Sequence, residues 1–160
     1  MQSPEAPRAP ETSTEEKLLA VRAQRAALAA ERAAAEAAAA TAEALAREER
    51  ALRDDAAIFA AEKAHGKQGE KIFVVKDVGV PACDVVILKR PNAVAFKGFQ
   101  DLDKAGIHDV EQLVLPCVVY PSKDVFDRLH SLEVPGLLTR CARAVAYLAG
   151  MRKADEQGKA

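Results

Sequence analysis

Three cysteines, three histidines and a few closely spaced carboxylates are the side chains from which this chain would have to build any chemistry. A metal centre or a catalytic site needs such groups at ligand or relay spacing. Cys83, Cys117 and Cys141 form no CxxC pair, and three thiols cannot all pair with one another, which points to reduced cysteines rather than a secreted disulfide framework. Cys117 and Cys141 fall on apolar helical stripes and read as packed thiols. Cys83, at the expected start of a strand, is the one thiol that reads as open to reaction, with nothing in the sequence to activate it. His65 falls at an expected helix stop, His108 at a helix start and His130 on a short helix, none at ligand spacing from a cysteine or carboxylate motif. Asp101-Leu102-Asp103 and Asp124-Val125-Phe126-Asp127 bring carboxylates together, but on helix faces expected to be solvated. Lys89-Arg90 reads as protection of a sheet edge. No Gly-rich phosphate loop of either common pattern occurs, so nucleotide hydrolysis is excluded. The expectation is a protein that is not an enzyme, with no catalytic residue, no cofactor and no metal.

Charge and hydropathy narrow the partners. With 23 basic against 24 acidic side chains and a net charge of −1, the chain has no excess of cations to release counterions from a nucleic-acid backbone. Nucleic acid is therefore not an expected partner, and proteins are. No apolar run approaches the roughly 18 residues that suggest a membrane span, and the N-terminal MQSPEAPRAPETS lacks the basic start and apolar stretch of a signal peptide. A cytoplasmic protein is expected, without a membrane partner.

The elements that would position these residues fall into pieces. Residues 1–12 carry Pro4, Pro7 and Pro10 among small and polar side chains and read as a disordered tail. Ser13-Thr14-Glu15-Glu16 matches a capping box and should open a helix. From Thr14 to Ala64 there is neither glycine nor proline, and 24 of the chain's 34 alanines precede Gly66. This stretch is biased to helix and can build little core. Lys63 and His65 suit a helix C-terminus, and Gly66 suits a left-handed stop. About fifty residues at roughly 1.5 Å each would span on the order of 75 Å.

Counting heptads with Val21 at a places Leu28 on the next a, and Leu45, Leu52 and Phe59 on successive d positions. The middle of this seam is Ala35, Ala38 and Ala42, while Gln24 and Glu31 at d and Glu49 at a weaken it. Two readings stay open. One is a solvated single helix, supported by pairs such as Glu43 with Arg47, that docks near its end through Leu52, Ile58 and Phe59. The other is a coiled coil with a second copy or with another protein's helix.

After Gly66-Lys67-Gln68-Gly69 the pattern turns to β. Lys71–Lys76 and Cys83–Arg90 read as two strands of a hairpin closed by a loop of about five residues around Asp77–Pro81. A lone hairpin is marginal in water, so helices or a partner must cover one face. A helix is expected from Pro91 to about Ala105. A second should start at a capping box, Asp109-Val110-Glu111-Gln112, and run until Pro116 kinks or ends it. A third follows Ser122, and a last helix runs from about Leu137 to Ala149. Residues 151–160 read as a flexible tail. The expected fold is α+β and mainly α: a long alanine-rich helix over 13–65, then a small domain over 66–150 built of a β-hairpin and about four short helices.

The order of segments in this domain resembles tail assembly chaperone-type proteins of tailed bacteriophages. The likeness covers about residues 70–150. It rests on a branched strand ending in Arg90-Pro91, on the Val119-Tyr120-Pro121 step and on Pro135-Gly136 before the final helix. It implies a small, non-enzymatic protein of the infected host's bacterial cytoplasm that holds the tape measure protein soluble until tail tube subunits assemble round it. Two features depart from the family: the alanine-rich helix, and Pro116 inside a helix expected to continue. Structural roles account for the six positions equally well, with proline starting helices, glycine permitting the bend, and the Tyr120 ring packing with its hydroxyl at the surface. The alternative is a coiled-coil structural or adaptor protein, a virion component or an oligomerising scaffold.

Overall fold

A computed structural model of the chain describes residues 13–151. The tails read at 1–12 and 151–160 therefore lie, Met151 apart, outside the described residues. The element order is α1 (Thr14–His65), β1 (Ile72–Val75), β2 (Val86–Lys89), α2 (Ala93–Gln100), α3 (Ile107–Val114), a 3₁₀ turn (Leu115–Cys117), β3 (Val118–Tyr120), α4 (Lys123–Arg128), a π turn (Leu129–Glu133) and α5 (Leu137–Leu148). The fold is α+β and mainly α, with a long N-terminal helix, as the sequence suggests.

The ends of α1 follow local chemistry. Glu16 accepts the Ser13 amide at 3.2 Å, and the Ser13 hydroxyl oxygen accepts the Glu15 amide at 3.2 Å, one residue earlier than an ideal capping box would have it. At the other end the Gly66 amide bonds Glu62 O at 2.9 Å, and Gly66 sits at φ +107°. A Cβ there would lie 2.9 Å from Lys71 Cγ, so glycine serves both the backbone conformation and the close approach of the next strand.

The chain divides into two units, residues 1–46 and 47–160. In the first, the described residues are α1 up to Ala46, and every one of them is exposed. The second begins inside α1, at Arg47, and contains the whole core.

That core has three layers. The sheet is antiparallel, in the order β1-β2-β3, with Phe73 opposite Leu88, Val74 opposite Ile87, and Leu88 opposite Val118. Ile72, Val74, Val85 and Ile87 point to one side, where Ala57, Ile58 and Ala61 of α1 cover them. Val75, Val86, Leu88 and Val118 point to the other, against Phe96, Leu113, Val114, Phe126, Leu137, Cys141 and Val145. Strands buried on both faces are apolar at nearly every position instead of alternating, and Ile72-Phe73-Val74-Val75 and Val85-Val86-Ile87-Leu88 are of this kind.

Several expectations are corrected. The β-hairpin gains a third strand: α3 stops at Val114, Pro116 sits in the 3₁₀ turn, and the backbone is extended by Val118. The link between β1 and β2 is longer than five residues, because Cys83 and Asp84 belong to the loop. Asp84 organises that loop by accepting the Gly79 amide on its side chain at 2.9 Å and the Val78 amide on its carbonyl at 3.0 Å. α2 is shorter than Pro91–Ala105, starting after Asn92, whose side chain accepts the Val94 amide at 2.8 Å. α3 starts before Asp109, whose carboxylate instead reaches back to the Gly106 amide at 2.8 Å. Gly136, at φ +79°, makes the left-handed step into α5.

Candidate protein-binding surfaces

The residues with chemical potential are dispersed or sequestered. All three cysteines are free and buried. Cys83 is not the open thiol its position suggests: it is fully buried, and burial followed by the nearby Asp54 and Asp84 charges pushes its pKa up to about 11. Burial also pushes Cys141 up to about 12 and raises Cys117, whose thiol donates to Leu113 O at 3.3 Å. A thiol held neutral is a poor nucleophile. We expect no cysteine to react with a soluble disulfide reagent at pH 8 until the chain unfolds, so labelling should track the unfolding curve. These thiols ionise at higher pH folded than unfolded, so their contribution to stability should fall away as pH rises from about 9 toward 11 to 12.

His108 lies beside Gln112 and Glu111, and His130 beside Asp127 at 3.1 Å. Asp124 and Asp127 are exposed on α4 as expected, while Asp101 and Asp103, also exposed, lie in the turn after α2 rather than on a helix. Among the described residues no group of three or more His, Cys, Asp and Glu could hold a metal ion. Nor is any helix of the described residues long and apolar enough to cross a membrane.

Among the described residues the buried charged side chain is Asp54, unmarked by any sequence pattern, on the part of α1 that covers the sheet and only 4% exposed. It accepts the Tyr120 hydroxyl at 2.7 Å and the Asp84 amide at 2.8 Å, so α1, β3 and the β1–β2 loop meet at one carboxylate. The Tyr120 hydroxyl thus points inward rather than to the surface, and burial, with the hydrogen bond to Asp54 next, raises its pKa. The flanking cleft of about 390 Å³ is lined by Arg47, Arg50, Asp55, Lys76 and Asp77 among others. Asp54 and Asp84 already have partners there, and Arg140 donates to the carbonyls of Lys76 and Asp77. This is a structural joint between elements.

Two apolar surfaces remain. The first is a groove of about 330 Å³ between α2, α3 and α5, lined by Phe96, Phe99, Leu102, Leu113, Ala146 and Met151 among others. Leu102 and Met151 are 45% and 53% exposed, and α2 also presents Val94 at 80%. The second is the seam on α1. In the first unit Val21, Leu28 and Leu45 are exposed. In the second, Leu52 and Phe59 are exposed while Ala57, Ile58 and Ala61 face the sheet. The docking expected through Leu52, Ile58 and Phe59 therefore holds for Ile58 alone. Within the second unit, Leu52 and Phe59 lie on the side of α1 that the sheet does not cover.

The six positions of the phage resemblance are scattered. Arg90, Pro135 and Gly136 are exposed, Pro91 and Tyr120 half-buried, and Pro121, after a cis peptide bond, buried. They form no common site: Tyr120 belongs to the Asp54 joint, and Gly136 makes the left-handed step into α5. No family model matches the chain, and no curated protein or solved structure is detectably similar to it.

Proposed function

We propose that this protein is a non-enzymatic assembly factor of the tail-chaperone type, made by a phage or prophage and acting in the host bacterial cytoplasm. It shields an apolar helix of a tail protein, such as the tape measure or tube protein, in the groove between α2, α3 and α5. The observation that carries this reading is that groove: apolar, open to solvent and bordered by the exposed side chains of Leu102 and Met151. An amphipathic helix laid into such a groove would bury apolar surface on both partners. The segment order over 70–150 supplies the class of partner.

The test is affinity capture of the tagged full-length chain from cells producing phage, with mass spectrometry of the bound proteins and of purified particles. A tail protein among the captured partners, with this chain absent from finished particles, is the expected result. Leu102→Glu with Met151→Glu should reduce capture about tenfold or more while leaving the circular dichroism spectrum unchanged, since both side chains line the groove and are exposed. Presence in particles at fixed stoichiometry would instead favour the second reading, a structural adaptor, which the uncovered seam of α1 supports.

A further inference from the structure

The α1 seam has an occupant that its charges select. On one flank, at heptad e, stand Arg25, Arg32 and Arg53; on the other, at g, stand Glu48, Asp55 and Glu62. Within the seam, Glu31 and Glu49 interrupt the apolar positions. A second copy can align its apolar residues with these in several ways, and most set like charges together. Parallel and in register, Glu31 meets Glu31, Lys17 meets Lys17, and Glu48 and Glu49 of both copies crowd at one layer. Antiparallel with Val21 against Phe59, Glu31 meets Glu49, Lys17 meets Lys63, and Arg25 meets Arg53.

Antiparallel with Val21 against Leu52 is different. Leu28 then meets Leu45, Ala35 meets Ala38, Ala42 meets Glu31 and Glu49 meets Gln24, with no like charges in the seam. Glu49 also comes beside Arg25 of the other copy, twice by symmetry. Sliding one heptad one way gives the Val21–Phe59 register with its Arg25–Arg53 contact, and sliding one heptad the other way sets Arg32 against Arg32 of the second copy. Alanines at the centre let the helix backbones approach closely. The seam residues of each unit are exposed, and in the second unit Leu52 and Phe59 stand clear of the side where Asp54, Ile58 and Ala61 are engaged.

We propose that α1 pairs with α1 of a second copy, antiparallel, with Val21 against Leu52 and Leu28 against Leu45. The pairing goes beyond the tail-chaperone reading and does not depend on the partner held in the groove.

Cross-linking of full-length variants tests it. The native thiols are buried, so oxidation reports only the introduced ones. Leu28→Cys mixed with Leu45→Cys should give a disulfide-linked dimer joining the two different variants, whereas either variant alone should give little. Dimer from Leu28→Cys alone would show parallel pairing and overturn the proposal, as would a wild-type chain that sediments as a monomer up to 100 μM (about 10⁻⁴ M). Arg25→Glu should raise the dimer dissociation constant about tenfold, and Arg25→Glu with Glu49→Arg should restore it. Failure of the double variant to recover would rule out this register.

Discussion

Replacing Asp54 with alanine is expected to lower the unfolding free energy by about 3 kcal/mol, because the Tyr120 hydroxyl and the Asp84 amide lose their acceptor together inside the fold. Urea unfolding followed by circular dichroism would measure it. Tyr120→Phe should cost less, about 1 to 2 kcal/mol, since it removes one donor and leaves the carboxylate bonded to Asp84. The two changes should not add, because they share a hydrogen bond. A loss under about 0.5 kcal/mol for Asp54→Ala would mean that α1 is held to the sheet by Ala57, Ile58 and Ala61 alone.

The second large effect is expected at Phe126. Its ring is fully buried among the side chains between the sheet and the helices, and it packs beside the His130 ring with centroids 5.3 Å apart. Truncation to alanine should cost about 3 to 5 kcal/mol, a large share of the 5 to 15 kcal/mol typical of small domains. The variant should show a much lower urea midpoint and a partly unfolded population at 37 °C. Phe126→Leu fills most of the space and should lose about 1 to 2 kcal/mol. Equal losses for the two variants would show that the aromatic ring itself, rather than its volume, holds this part of the core.

Much of the architecture was legible in the sequence, for identifiable reasons. The capping residues Ser13 and Glu16, the uninterrupted helix formers and Gly66 place α1 within a residue at each end. The apolar stripes of α5 likewise emerge as buried Leu137, Leu138, Cys141, Val145 and Leu148. Strand β3 escaped notice because its three residues follow a helical pattern without interruption: Val110, Leu113, Val114 and Cys117 keep helical spacing, and only Pro116 signals that the backbone must change. The sheet is covered on both faces, where the hairpin reading required cover on only one; the unbroken apolar runs of β1 and β2 fit the two-sided cover, which an alternating, half-solvated hairpin would not show.

The joint at Asp54 was not legible. It lies in Arg53-Asp54-Asp55, where a solvated charge run is the ordinary reading, and its partners stand 30 and 66 residues away. Local pattern carries no information about a contact of that range. The misjudged exposure of Cys83 has the same origin, since the loop that buries it is organised by Asp84, whose own amide is fixed by Asp54. For the binding surfaces, the heptad seam was legible in the sequence, and the structure added which side of the second unit's stretch of α1 the sheet occupies.

That long-range carboxylate also bears on how the chain is made. Synthesis delivers α1 first, and its sheet-facing side is not completely covered until Tyr120 of β3 has emerged, 66 residues after Asp54. At about 5 to 20 residues per second the wait is on the order of 3 to 13 s. A wholly apolar stripe exposed for so long on a nascent helix would invite aggregation. Asp54, just ahead of Ala57, Ile58 and Ala61, sets a polar group on that face, so the residue that completes the native joint also interrupts the stripe while the chain is unfinished.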